Sequence, residues 1–132
     1  MRYVYECPVR WSDLDAFGHV NNSRFLTLFE EARVALMFVG ARDAGLTSFE
    51  SGIVVHRHEI DYVRPVDYGP MVRIEMWVSD LRASRFTVSY ELFADDELAS
   101  RAATVCVPFD LANRRPRRLS DAEREFLKPW LE

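Results

Sequence analysis

"RWSDLDAFGHVNNSRFLTLFEEAR", residues Arg10 to Arg33, decides the fold. Two aspartates, a glycine, a histidine and two asparagines crowd between Asp13 and Asn22, and a long apolar run follows at once. Asp and Gly favour turns, so Asp13 to Gly18 reads as a loop. Asn21 or Asn22 is a good N-cap, because a side-chain oxygen there accepts one of the backbone N–H groups that a helix start leaves unpaired. Phe25, Leu28, Phe29, Ala32, Leu36 and Val39 then recur at helical spacing. Leu26, Val34, Met37 and Phe38 widen the apolar surface beyond one stripe, so the helix is expected to be buried on most sides. Gly40 reads as its stop, with a short extra turn between Asp43 and Phe49.

What surrounds the helix is strand-like. Tyr3 to Trp11 alternates β-formers ahead of it. Ile53 to Arg64, Met71 to Leu81, Arg85 to Ala94 and Leu98 to Phe109 follow, with Asp95-Asp96-Glu97 as a tight polar turn. Short connections imply antiparallel neighbours. Ser120 and Glu123 form a capping box, which predicts a short C-terminal helix over Ser120 to Leu127, stopped by Pro129. One long helix and five strands must share a core. The expected class is α+β: a five-stranded antiparallel sheet curled around a central helix, in a single domain over residues 1–132.

Composition bounds the function. Of 132 residues, 48% are apolar, which suffices for a core, and the net charge of −4 argues against general nucleic-acid binding. Cys7 and Cys106 stand far apart and form no C-x-x-C pair, so they read as two lone thiols. No apolar run approaches a membrane span, and the N-terminal residues lack the apolar region of a signal peptide. A cytoplasmic protein that meets neither membrane nor nucleic acid is expected.

Asp13-Leu14-Asp15-Ala16-Phe17-Gly18-His19-Val20-Asn21-Asn22, continued by Phe29-Glu30-Glu31-Ala32-Arg33, resembles the hotdog-fold acyl-CoA thioesterases, in particular the 4-hydroxybenzoyl-CoA thioesterase-like family. Ile60-Asp61-Tyr62-Val63-Arg64-Pro65 looks like that family's second strand and the proline after it. Arg82-Ala83-Ser84-Arg85-Phe86 lies where the family places its CoA-binding turn. The resemblance implies hydrolysis of an acyl- or aroyl-CoA thioester, a homodimer that can pair into a homotetramer, and no cofactor beyond the CoA of the substrate. Each CoA site would lie between subunits.

Thioester hydrolysis needs a carboxylate, donors for the developing oxyanion and a place for CoA. Asp15 matches the family's catalytic carboxylate, as general base or as nucleophile through a mixed anhydride. Its competing role is an Asx-turn residue that shapes the loop, and Asp13 reads as that kind of residue. The backbone N–H of Asn22 matches the family's oxyanion donor at the helix start, where the dipole adds positive potential. Gly18 would let the backbone approach the ligand, and Phe17 and Phe25 could line the acyl pocket. His19 is ambiguous. The segment Gly18-His19-Val20-Asn21-Asn22 also resembles acyl-ACP thioesterases, where the histidine has been assigned a catalytic part, but Phe17 stands where those enzymes carry asparagine.

Glu30 and Glu31 read as hydrogen-bonding or ion-pairing residues, with Arg33 and Arg24 as partners. Arg82, Ser84 and Arg85 supply guanidinium groups and a hydroxyl for CoA phosphates. Arg114-Arg115-Pro116-Arg117-Arg118 reads as a solvated charge run. His56 and His58 would share one strand face, with Tyr62 beside them as packing or pocket lining. Neither they nor the Asp13/Asp15 pair has the further ligands a metal needs, so no metal is expected. The rival functions are an acyl-ACP thioesterase and a non-catalytic acyl-CoA-binding module.

Overall fold

A computed structural model describes residues 1–69 and 71–132. Strand β1 (Tyr3–Pro8) leads through a 3-10 turn at Trp11–Asp13 to helix α1 (Asn22–Val34). A π turn at Ala35–Gly40 carries the helix on into α2 (Ala41–Asp43). After a second 3-10 turn come β2 (Ile53–Tyr62), β3 (Met71–Leu81), β4 (Phe86–Ala94), β5 (Glu97–Asp110), the two-residue β6 (Arg115–Pro116) and helix α3 (Asp121–Leu127). The sheet order is β1-β3-β4-β5-β2 with every pairing antiparallel, and β6 adds to β5. This is the expected sheet around a long helix, with one short strand more.

Strand alternation builds the core. Val72, Ile74, Met76 and Val78 of β3 and Phe86, Val88, Tyr90 and Leu92 of β4 are buried on one face. They meet Phe25, Leu28, Phe29 and Ala32 of α1, and the Phe29 and Tyr90 rings lie 4.7 Å apart. Burying each large side chain is worth about 1.5–3 kcal/mol, so this face dominates stability. Asp95 and Asp96 both have positive φ, 52° and 60°, as a two-residue hairpin turn requires.

Three local expectations change. Gly40 does not stop the helix; its φ of −63° is helical, and the helix ends instead at Gly45, where φ is +83° and the Leu46 N–H reaches back to the Ala41 carbonyl. The helix is buried on one side rather than most: Val34 and Val39 remain exposed, because the sheet covers a single face. The arginine run is not wholly solvated. Arg117 folds back to the fully buried Glu123 at 2.7 and 2.8 Å, while Ser120 N–H and the Ser48 hydroxyl donate to the same carboxylate. That ion pair fastens α3, whose Ser120/Glu123 capping box forms as expected.

Candidate active site

The loop before α1 is built from its own polar groups. Asp13 is fully buried and accepts hydrogen bonds from the Arg10 backbone N–H at 2.9 Å and its guanidinium at 3.0 Å. Burial pushes the Asp13 carboxyl up, but these donors outweigh it and hold the group below the usual carboxylate range. The Asp13 carbonyl in turn accepts the Asn21 N–H at 2.8 Å, which fixes where the helix begins. Asp13 is thus a loop-holding residue.

Asp15 closes the turn that follows. Its N–H donates to the His19 carbonyl at 2.7 Å, and its carbonyl accepts the Gly18 N–H at 3.1 Å. Its Oδ1 accepts from the Phe17 N–H at 2.8 Å and the His19 N–H at 3.2 Å. Among the described residues Oδ2 has no hydrogen-bond partner. The Asx-turn role is therefore real, yet it occupies only one oxygen. Gly18 sits at φ +79° with open space where a Cβ would stand, so the glycine serves the turn's backbone rather than a close packing contact.

Asn21 is the N-cap: its Oδ1 accepts from the Ser23 N–H at 3.0 Å and the Ser23 hydroxyl at 2.9 Å, and its carbonyl accepts the Arg24 N–H. A cap of this kind is worth about 1 kcal/mol. The Asn22 N–H, the first of the helix, is left without a partner among the described residues, as helix starts require. Asp15, His19, Asn22 and Phe25 line one cleft of about 340 Å³ with Tyr62, the last residue of the edge strand β2, and Arg64 just after it. Tyr62 donates to the Asn22 carbonyl at 2.8 Å and meets the Phe25 ring edge-on at 5.2 Å. Phe25 is buried beneath the cleft; Phe17 is 84% exposed and lines neither cleft nor core.

The His19 Nε2 lies 3.4 Å from the Asp67 carboxylate across an isolated β-bridge. His19 stands between this cleft and a neighbouring one of about 480 Å³. Asp67 was not legible in the sequence, since a contact between loops leaves no periodic signal. Arg64, whose guanidinium pairs with Glu97, was visible only as part of a quoted motif.

Arg82, Ser84 and Arg85 are exposed on the β3–β4 turn, where Arg82 pairs with Asp80 at 2.8 Å. They lie at the opposite end of the sheet from the cleft. Phe86 pairs with Cys106 and Cys106 with Val55, whereas Tyr62, beside the cleft, pairs with Ser100 at the far end of β5. One chain alone does not bring Asp15 and these arginines together. His56 and His58 are also separated: the register shifts between Val55 and Arg57, so His56 is an extra residue and the two rings do not share a face. His58 instead bonds the Thr104 hydroxyl through Nδ1 at 2.9 Å. Among the described residues no cluster of three or more His, Cys, Asp or Glu could hold a metal, and no helix is long and apolar enough to cross a membrane.

The family model described as the thioesterase-like superfamily matches residues 9–131. The chain belongs to that superfamily. It is a thioester hydrolase by class, with the hotdog fold. A 1,4-dihydroxy-2-naphthoyl-CoA hydrolase of Gloeothece citriformis is 29% identical over 130 residues, covering 94% of this chain and 90% of that protein. A thioesterase from Thermus thermophilus, solved with coenzyme A and Zn, is 31% identical over 96% of this chain and 92% of its own, with a TM-score of 0.82. A predicted thioesterase from Bacillus stearothermophilus superposes with a TM-score of 0.89 over 100% of this chain and 98% of its own; at 24% identity that likeness speaks to the fold alone.

Proposed function

We propose that the protein hydrolyses acyl- or aroyl-CoA thioesters to the free acid and CoA. Asp15 supplies the carboxylate and the Asn22 N–H the oxyanion donor. The observation that carries this reading is the shared cleft: an aspartate with one oxygen uncommitted and an unpaired helix N–H face the same space. Oδ1 is held by two backbone donors, which leaves Oδ2 to activate water or to attack the carbonyl carbon. As the tetrahedral oxyanion forms, the N–H and the helix dipole stabilise it; one such donor is typically worth about 2.7–4 kcal/mol in the transition state. His19, whose Nε2 lies near the Asp67 carboxylate, acts as a loop-positioning residue in this scheme.

The site is completed by a second copy. Strand β2 is a sheet edge ten residues long and largely exposed, which dimerisation would cover. Arg82, Ser84 and Arg85 of one subunit would then meet CoA phosphates at the other's cleft. Aroyl-CoA substrates such as 1,4-dihydroxy-2-naphthoyl-CoA lead the candidates, on the similarity to the cyanobacterial hydrolase. A thiol-release assay over a panel of acyl-CoA, aroyl-CoA and acyl-ACP thioesters tests the reading. Asp15→Asn keeps the Oδ1 acceptor and is expected to lower kcat roughly a hundred- to ten-thousand-fold. Equal rates in wild type and variant would remove Asp15 from the mechanism, and binding of CoA esters without turnover would make the protein a binding module.

A further inference from the structure

The β3–β4 turn is tied from behind by the C-terminal segment. The Arg82 N–H donates to the Arg85 carbonyl at 2.9 Å, which closes the turn itself. The Arg82 and Ala83 carbonyls are both taken by the stretch that leads into and through α3. The Leu119 N–H donates to the Ala83 carbonyl at 2.9 Å, and the Arg124 Nη1 donates to the Arg82 carbonyl at 2.9 Å. Leu119 is buried and Arg124 directly follows Glu123. The Glu123 carboxylate, held by Arg117, Ser120 and Ser48, therefore anchors the ties to the turn.

Arg124 is not needed to dock α3, because the Glu123 ion pair and the buried Leu127 fasten the helix without it. Nor does it answer a carboxylate. Among the described residues its guanidinium forms no ion pair, and it donates to the backbone of a turn that carries two further arginines. Three guanidinium groups thus gather at one turn, and among the described residues Arg82 alone of them meets a carboxylate, Asp80, through Nε at 2.8 Å. Like charges set together repel, and a bound anion relieves that. Asp80 pins the Arg82 side chain at Nε while Arg124 pins its backbone at the carbonyl. The Arg82 Nη groups, the Ser84 hydroxyl and the Arg85 guanidinium keep their donors free among the described residues.

We infer that Arg124 is a positioning residue for phosphate binding: through the Arg82 carbonyl it holds the turn in the shape in which Arg82, Ser84 and Arg85 meet the phosphates of a CoA ester. The inference rests on the phosphate-binding turn of the function proposed above. Helix α3 then belongs to the CoA site although it touches no substrate. A turn held in its bound shape binds more tightly, because less backbone freedom is lost on association. The tie is made within one chain, and β5 stands between this hairpin and the β2 edge, so pairing of two β2 edges leaves it intact.

A double-mutant cycle read by calorimetry with CoA on the intact protein, at low salt, tests this. Arg124→Met removes the donors and should weaken CoA about three- to tenfold, and Arg124→Lys, which keeps a cationic donor, should recover part of the loss. In the Arg82→Met/Arg85→Met background, itself weakened in CoA binding, Arg124→Met should add no further loss, because no arginine is left on the turn to position. An equal loss in both backgrounds makes Arg124 an independent contact and overturns the inference. Wild-type affinity in a folded Arg124→Met, or in Arg82→Met/Arg85→Met, overturns it as well. Kinetics supply the readout that a merely structural role would not move. In Arg124→Met the KM of a CoA thioester should rise by the same factor with kcat held, while turnover of the matching pantetheine thioester, which carries no phosphate, stays unchanged. A parallel fall on both esters marks a structural role and overturns the inference. If the cycle couples in CoA binding but wild type cleaves no thioester, the hydrolase reading fails and the positioning role of Arg124 stands.

Discussion

The Tyr62 hydroxyl donates to the backbone carbonyl of Asn22 at 2.8 Å, which ties the edge strand β2 to the first residue of α1. The bond holds the Asn22–Ser23 peptide, the unit immediately after the one that carries the Asn22 N–H proposed as oxyanion donor. Tyr62→Phe removes one partly exposed hydrogen bond and keeps the ring against Phe25. Unfolding free energy should drop by about 1 kcal/mol or less, and kcat should fall several-fold with little change in KM. Parallel urea titration and thiol-release kinetics measure both. An unchanged kcat would free the oxyanion geometry from this strand.

Gly18 at φ +79° has room for a side chain but not the backbone freedom for one. Gly18→Ala should cost about 1–2 kcal/mol, since the strain is conformational and not steric. Gly18→Asn should cost less, because asparagine tolerates the left-handed region better. Chemical denaturation of the pair tests the ordering.

Glu123 makes stability depend on pH. Burial pushes its carboxyl up, but the Arg117 guanidinium, the Ser120 N–H and the Ser48 hydroxyl outweigh burial and hold it low. A folded-state pKa below the unfolded value of about 4.3 stabilises the protein fully above that value, and the contribution disappears as pH falls through the folded pKa. Arg117→Met should therefore cost about 3 kcal/mol at pH 7, by leaving a buried carboxylate without its cation. The gap between wild type and variant should narrow as the medium is acidified below about pH 4.3. Urea titrations across that window measure it; a gap that widened on acidification would reverse the assigned sign.

Separation of Asp15 from Arg82 and Arg85 within one chain makes complementation a sharp test. Asp15→Asn and the double variant Arg82→Met with Arg85→Met should each turn over poorly at low substrate. Mixed after unfolding and refolded together, they should form heterodimers of the proposed dimer in which one of two sites is intact. Random pairing then restores about a quarter of wild-type sites. No recovery would place the phosphate contacts elsewhere.

The sequence made the β3, β4 and β5 meander legible because alternation and the Asp95-Asp96 turn speak with local signals. The same holds for the start of α1, where Asn21 caps Ser23, and for α3, where Ser120 and Glu123 cap each other. Its failures are tertiary. The bulge at His56 is invisible to a count of two, so His56 and His58 read as one face. Glycine in a helix has no mark that separates a stop from a continuation, so Gly40 misled. Arg117 read as solvated because its partner is a capping carboxylate whose burial depends on how α3 docks. In the site, Asp15 and Asn22 were visible as a motif. The approach of His19 to Asp67 and the reach of Tyr62 to Asn22 depend on a loop and a strand folding back from far along the chain.

The π turn at Ala35–Gly40 has a consequence for rotation. Phe25, Phe29, Arg33, Met37 and Ala41 form a row at every fourth residue, and all five are buried. In an unbroken α-helix such a row winds about 40° per step, so by Ala41 it would have left the face where Phe25 began. The wider turn advances less per residue and winds the row back, which keeps Met37 and Ala41 against the core. The helix thus behaves as two shafts joined by a phase corrector: the first can be angled for the cleft at Asn22 while the second is indexed separately to the sheet.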